Sequence, residues 1–406
     1  MKLLVKLAWR NIWRNKRRTI ITLSSIFFAV LLALFMRSMQ RGSYQRMIEN
    51  SVEMHSGYIQ VHRDGYWDNK SINKLLEENE AIGQKLVAEP KIDFYIPRLE
   101  NFALAASEKL SKGAMVVGTA PEEENRMTKL ADKVKEGRYF TTDDNHLLIA
   151  KGLAGYLKLG VGDTLVLIGQ GYHGNNAVGK FPICGIVDLP NPTLNNSMVY
   201  MPIALNRDFN SAPGMATALV IALQSYQDVE MVEKSLRASL DEEYEVMGWD
   251  VLQPELVQLI QSDNAGGIIM IIILYIVIAF GIFGTIMMMT VERIKEFGVL
   301  IAIGLQKTKL ISLVFIETLL IGIVGLLASL LVGIPLLYYM YLNPIYLTGD
   351  AAEGMQKMGL EPIMPFSLQP AIFTSQMIAI GIIVFICLLY PLSTIRKIHL
   401  IDALRA

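Results

Sequence analysis

Four stretches of this chain are apolar for long enough, and free enough of charge, to cross a hydrocarbon layer of roughly 30 Å, which takes about 20 residues of helix. The first runs from Thr19 to Met36 without a charged residue. The second, Ile268 to Thr290, is dominated by Ile, Met and Phe. The third begins near Ile311 and reaches about Leu342, interrupted by one acid, Glu317, and by Pro335. The fourth lies between Ile372 and Ile395. An 18-residue apolar run is long for a cleaved signal peptide, and no A-x-A-like site follows Phe35, so the first stretch reads as a retained anchor.

Between the first and second spans the pattern changes. Short or alternating apolar runs predict strands at Gly57–His62, Phe102–Ala106, Ala114–Thr119, Leu147–Ala150, Thr164–Ile168, Phe181–Val187, Met198–Pro202 and Thr217–Leu223. Helices are expected at Asn79–Ala88, Lys151–Leu157 and Asp228–Leu240. Strands mixed irregularly with helices suit an α+β domain, large enough to hold its own core in one lobe or two. Ser38–Asn50 and Pro254–Ala265 read as helical extensions of the spans, forming a stalk. The expected fold class is an α-helical membrane protein with four transmembrane helices and a large α+β extracytoplasmic domain between helices 1 and 2. The partition is 1–18 (amphipathic helix), 19–37, 38–265 (outer domain with stalk), 266–290, 291–310 (connecting loop or helix), 311–342, 343–371 (outer loop), 372–395 and 396–406 (tail).

Charge sets the expected orientation. Residues 1–18 carry Lys2, Lys6, Arg10, Arg14, Lys16, Arg17 and Arg18 with no acid, and the loop after span two holds Arg293, Lys295, Lys307 and Lys309. The tail adds Arg396, Lys397 and Arg405, whereas 343–370 has Lys357 against Asp350, Glu353 and Glu361. Basic short loops stay inside, so both termini are expected in the cytoplasm. The formal net charge of −1 hides a split: residues 38–265 hold 21 basic and 31 acidic groups, a net of −10, and the remainder sums to +9. An acidic exterior argues against nucleic acid as a partner. Within 1–18, Lys2, Lys6, Arg10 and Arg14 recur every four residues beside Trp9 and Trp13, which suits a helix lying in the interface, or equally a plain basic flank.

Motif chemistry is sparse. Gly174 to Lys180 opens like a phosphate-binding loop, but Phe181 stands where a magnesium-holding hydroxyl is required and Pro182 follows where a helix should begin. His55, His62, His146, His173 and His399 form no paired metal spacing. Cys184 and Cys387 fall in different regions, which excludes a disulfide framework. No catalytic or metal site is expected. Glu317 is the one acid inside a span, a functional candidate by default, though near the span's end it can pair with basic residues. Met36, Met39, Met287 and Met288 could line a path for acyl chains, or simply pack the helices.

The most informative run is Val291-Glu292-Arg293-Ile294-Lys295-Glu296-Phe297-Gly298-Val299-Leu300-Ile301-Ala302-Ile303-Gly304. Charges come first, then an apolar turn bounded by glycines. A short amphipathic helix of this kind can dock into a groove of a cytoplasmic partner, and an ordinary charged turn fits as well on physics alone. The run resembles the E-R-x-[RK]-E-[IF]-G-[IV]-L-x-A-[IL]-G signature of FtsX-like permeases, membrane subunits of type VII (mechanotransmission) ABC systems. The leader Leu7-Ala8-Trp9-Arg10-Asn11, the segment Phe315 to Leu319 and the terminal Ala403-Leu404-Arg405 agree in order, while Leu400 departs from a frequent proline.

The resemblance implies a non-catalytic permease of the bacterial inner membrane, partnered by a second permease protomer, identical or homologous, and by a cytoplasmic ABC ATPase dimer. That ATPase holds the ATP and magnesium; this chain binds no cofactor. ATPase coupling falls to Glu292, Arg293, Lys295, Glu296, Phe297, Gly298, Leu300 and Gly304. Within the family, macrolide-exporter permeases make a tight turn between the two strands where this chain has Gly169–Lys180, and lipoprotein-releasing permeases carry a longer loop that hooks a periplasmic carrier. The length here favours lipoprotein release, with Gly169, Tyr172, Asn175, Asn176 and Lys180 as candidate carrier contacts; a mobile hairpin tip explains the composition equally. The rivals are a tripartite efflux permease working with an adaptor and a signalling scaffold controlling a cell-wall hydrolase.

Overall fold

The computed structural model describes residues 2–14, 16–357 and 362–397. They fall into two compact units. One takes Met1–Gln45, Leu259–Tyr346 and Ile363–Ala406, the other Arg46–Gln258 and Leu347–Pro362. The terminal Ala403-Leu404-Arg405 and Leu400 lie outside the described residues.

The first unit is built from helices α1 (Lys2–Arg14), α2 (Lys16–Ser51) up to Gln45, α3 (Pro254–Glu292) from Leu259 on, α4 (Ile294–Ala302), α5 (Lys307–Leu342) and α6 (Pro370–Lys397). Among the described residues four helices are long and apolar enough to span a membrane: α2, α3, α5 and α6. Two of them run past their apolar windows, as the stalk reading expects: α3, with 39 residues, is about 58 Å long at 1.5 Å per residue. Each helix turns a narrow stripe inward, with Ile26, Val30 and Leu34 on α2 meeting Ile278, Ile282 and Ile286 on α3 and Ile380, Val384 and Cys387 on α6. Spacings of three and four keep each set on one face. Small residues on α5 bring the backbones close, Gly325 against Ile26 and Gly322 against Val384. The opposite faces stay apolar and exposed, as at Phe280 and Leu331, which suits lipid and not water.

The second unit contains a ten-stranded sheet. Its strands are β1 (Ile59–Arg63), β2 (Ile92–Ala106), β3 (Ser111–Thr119), β4 (Val134–Gly137), β5 (Leu147–Ala150), β6 (Thr164–Gln170), β7 (Asn176–Val187), β8 (Met198–Pro202), β9 (Ala218–Leu223) and β10 (Tyr244–Gly248). The spatial order is β10-β1-β9-β2-β3-β8-β5-β7-β4, and β6 bridges β2 and β7. That bridge closes a ring, β2-β3-β8-β5-β7-β6. Its interior is filled by alternate residues, Ala103 and Ala105, Leu147 and Ile149, Leu165 and Leu167, Val199 and Met201. Period-two alternation places each pair on one face, and closure removes exposed edges.

The remaining strands, β10, β1, β9 and the first half of β2, form an antiparallel sheet. The helices Glu80–Val87 and Val229–Ser239 cover it through Ile82, Leu86, Val232 and Leu236. One 15-residue strand, β2, therefore serves two cores. Where it passes from one to the other, Arg98 donates to both carboxylate oxygens of Glu124 at 2.9 and 2.7 Å, and Thr119 donates to the same group at 2.8 Å. Both charged side chains are almost wholly buried.

The strands expected at Leu147–Ala150 and Met198–Pro202 have the predicted ends, and β2, β4 and β10 show what patterning misses. Alternation marks only Phe102–Ala106 of β2, because its first half is enclosed on both faces less regularly. Val134–Gly137 holds a single apolar residue and pairs along β7 through its backbone. The helix Pro121–Thr128 was unforeseen, although Pro121 followed by three glutamates is a sound helix start.

Candidate functional site

The signature run becomes a compact assembly. Helix α3 ends at Glu292, Arg293 turns the chain, and α4 follows from Ile294 to Ala302. Its end is a Schellman closure: Leu305 N–H donates to the Leu300 carbonyl and Gly304 N–H to that of Ile301, both at 3.0 Å. Gly304 sits at φ +102°, a conformation in which a side chain is strained. Gly298 does something else. The expectation of a turn bounded by two glycines fails, because Gly298 is buried in mid-helix and only Gly304 ends it.

Phe297 is the apolar anchor. It is buried among Leu310 and Val314 of α5 and Ile395 of α6, with Ile294, Leu300 and Leu305 packed around. The polar anchor is Arg293, which donates to both oxygens of Glu317 at 2.7 and 2.8 Å. Its guanidinium also lies 5.2 Å from the Phe297 ring centroid and reaches Glu296 at 3.3 Å. The acid inside span three is thus neutralised by the arginine of the signature, and the cost of placing it there is offset by bidentate pairing.

A second tie runs to α1. Arg14 donates to Glu296 at 2.6 and 2.5 Å, and Thr19 donates to the Ile12 carbonyl at 2.5 Å. Burial works against ionising Glu296, but the Arg14 and Arg293 guanidinium groups outweigh it and hold the carboxyl below the ordinary range. These residues enclose a cleft of 220 Å³ lined by Asn11, Arg14, Met289, Arg293, Glu296 and Glu317. Lys295, Val299 and Ile303 point away from the packed side, and Ile303 is 78% exposed. Among the residues expected to act in coupling, Phe297, Gly298 and Leu300 therefore pack inward, Arg293 and Glu296 hold the network, Gly304 shapes the end, and Lys295 faces outward. Arg14 was read only as part of a basic flank. Nothing local in the sequence links it to an acid 282 positions later.

Two other expectations need correction. The twelve residues Gly169–Lys180 are not a long loop. Gly169 pairs with Ala177, Gln170 with Asn176, and Lys180 with Val166, so the segment is a hairpin with a tip of Gly171–Asn175. The tip is tied down: His173 N–H donates to the Asn73 side chain at 2.9 Å, and Tyr172 packs against Leu75, Leu99 and Ala212. Polar composition simulated a loop because β7 exposes Asn176, Val178 and Lys180 on its outer face. The same strand removes the phosphate-loop reading, since no helix follows.

The four methionines do not form one path. Met39 packs into the helical core, while Met287 and Met288 are exposed on α3. Gln40 on α2 lies against Gly267, about 20 residues or roughly 30 Å along α3 from Met287. Met36 and Met39 therefore sit near one end of the helical unit and Met287 and Met288 near the other.

The FtsX-like permease C-terminal family matches residues 268–400, which include α4, and the MacB-like periplasmic core domain matches residues 19–239, more than half of the chain. Over 334 residues the chain is 23% identical to the lipoprotein-releasing system transmembrane protein LolC of Xylella fastidiosa, spanning 79% of each. It is also 23% identical over 359 residues to the macrolide export ATP-binding/permease protein MacB of Nitrosomonas europaea, covering 82% of this chain and 52% of that one. Among solved structures, the periplasmic region of MacB from Actinobacillus actinomycetemcomitans is similar at 13% identity and a TM-score of 0.35, covering 52% of this chain and 98% of that one. The chain belongs to the family of ABC-transporter permeases that join an FtsX-like membrane region to a MacB-like periplasmic core domain.

Proposed function

We propose that this permease transmits the motion of an ATPase dimer in the cytoplasm to the periplasmic domain, with α4 as the receiving element and both termini on the cytoplasmic side. The observation that carries this reading is the anchoring of α4. Phe297 fixes it to α5 and α6, Arg293 to Glu317, and Glu296 to Arg14 of α1, while Val299 and Ile303 remain exposed for a partner. A short helix held at three points moves its neighbours when it is pushed. The push enters spans three and four as well as the end of span two, and α2 and α3 carry it toward the domain. ATP biases this motion only through contacts that differ between the two states.

A second protomer, identical or homologous, completes the machine, and a lipidated client is squeezed from the outer leaflet toward a periplasmic carrier. Support for lipoprotein release comes from the LolC relative, matched over most of both chains. The short, anchored tip Gly171–Asn175 favours the second reading, a tripartite efflux permease with an adaptor for peptides, drugs or toxins.

Reconstitution with the ATPase tests the coupling. Glu296→Lys and Gly298→Pro are expected to leave ATP hydrolysis and assembly intact while client release falls at least tenfold; normal release by both refutes the coupling role. Mass spectrometry of the purified complex separates the clients: a co-purified lipoprotein supports release, and a co-purified adaptor supports efflux.

A further inference from the structure

The periplasmic core domain holds a cavity of about 460 Å³, within the range of small-molecule sites. One wall is apolar, formed by Trp67, Phe102, Met115, Met198 and Leu252. Phe102 is exposed although it stands on a central strand. The rest of the lining is more polar, and two of its residues bring an atom with no hydrogen-bond partner: His62 Nε2 and Glu100 Oε1.

The chemistry of each atom can be read from its surroundings. His62 is 1% exposed, and its Nδ1 lies 2.8 Å from the Thr217 carbonyl. A carbonyl only accepts, so the proton resides on Nδ1 and Nε2 is a bare acceptor. The ring is held by stacking on Tyr66, with centroids 5.0 Å apart. Glu100 Oε1 lies 3.6 Å from both Arg98 and His55, too far for a hydrogen bond. Burial works against ionising Glu100, but its neighbours, His55 and Arg98 first and then Lys70, outweigh it and hold the carboxyl below the ordinary range, so it is an anion whose Oε1 still lacks a hydrogen bond. Leaving a buried polar atom unsatisfied costs about 1–3 kcal/mol each, so two facing one space call for an occupant.

We propose that this cavity binds a small amphipathic amine, its ammonium donating to Glu100 and His62 and its apolar body lying on Trp67 and Phe102. Two acceptors, one of them an anion, beside an apolar wall select a donor over an anion or a pure hydrocarbon; the Lys70 ammonium, 4.0 Å from the Trp67 ring centroid, lines the same cavity. The wall also includes Ser51 at the end of α2, Met54 and Ser56 after it, and Gln253 before α3, so the occupant touches both segments that lead into the domain. Gln253 donates to Ser56 at 2.5 Å and accepts from Ser51, which binds those segments to each other. The site is independent of which client the permease moves.

Calorimetric titration of the full chain in lipid nanodiscs tests this, with hexylamine as the probe, hexanol and hexanoate as matched controls, and empty nanodiscs as background. Hexylamine is expected to bind saturably at one site per chain, at least tenfold more tightly than hexanol, with hexanoate undetectable. Glu100→Gln should weaken binding at least tenfold with little change in thermal melting, and His62→Phe, which also strands the Thr217 carbonyl, should weaken it as far while lowering the melting temperature. Phe102→Ala, at an exposed position, should weaken it several-fold and covers the case in which a buried variant fails to fold. Heats no larger than those of empty nanodiscs, equal binding of hexanol, or hexylamine binding unchanged in Glu100→Gln and Phe102→Ala would overturn the proposal and leave water as the occupant.

Discussion

Each of the two units is organised around an arginine that grips a carboxylate with two hydrogen bonds, yet the grips differ in kind. Arg98 and Glu124 are sealed, at 0% and 1% exposure, between the two cores of the periplasmic domain. Arg293 and Glu317 are shielded, but their network opens outward through Glu296 and Arg14, which are about half exposed. The sealed pair is shut off from water, with its other neighbours, the His55 carbonyl and Glu100, also within the domain, so it locks one arrangement. A graded network can exchange partners with water. The contrast separates a buried staple from a network open to solvent.

Breaking the sealed pair should produce the largest effect. Glu124→Leu strands a buried guanidinium, and the expected loss is about 3–5 kcal/mol. Near-UV circular dichroism of the full chain during denaturation measures it, and a loss under about 1 kcal/mol would mean that the staple is not structural. Glu317→Gln removes the charge from a less enclosed pair and is expected to cost about 1.5–3 kcal/mol, with thermal melting as the readout. Replacing Gly304 by Ala leaves the network alone but strains the Schellman closure by about 1 kcal/mol. Coupling should fall with little change in melting temperature.

Arg14→Ala should have the smallest effect, within about 1 kcal/mol, because its pair is exposed and screened. The tie has a predictable pH dependence. Glu296 is held below its ordinary range in the folded chain, so its contribution is complete above the unfolded carboxyl's pKa and is lost as pH falls through the folded value. Comparing melting of the native chain and Arg14→Ala at pH 7 and pH 4 checks the sign: the gap should narrow in acid. A gap that widens would contradict the assignment of Arg14 as the partner.

How much of this was readable beforehand depends on the range of the interaction. The four spans follow from composition along a single helix, and short strands such as Leu147–Ala150 follow from neighbouring residues. The signature helix α4 was recognisable because its motif is contiguous. Its anchors were not, since Arg14, Glu317 and Ile395 come from separate parts of the chain. The segment Gly169–Lys180 misled for the opposite reason. Its residues look like a loop, and the backbone pairing of β6 with β7 overrides them.

Sequence alone determined that the chain holds four helices long and apolar enough to span a membrane, with a charged segment between the second and third, because hydrophobic length and charge spacing are local properties. Tertiary structure decided that one strand serves two cores, that Glu317 answers Arg293, and that His62 and Glu100 face one cavity. Those outcomes depend on which distant surfaces become neighbours when apolar area is buried, and no window of sequence contains both partners.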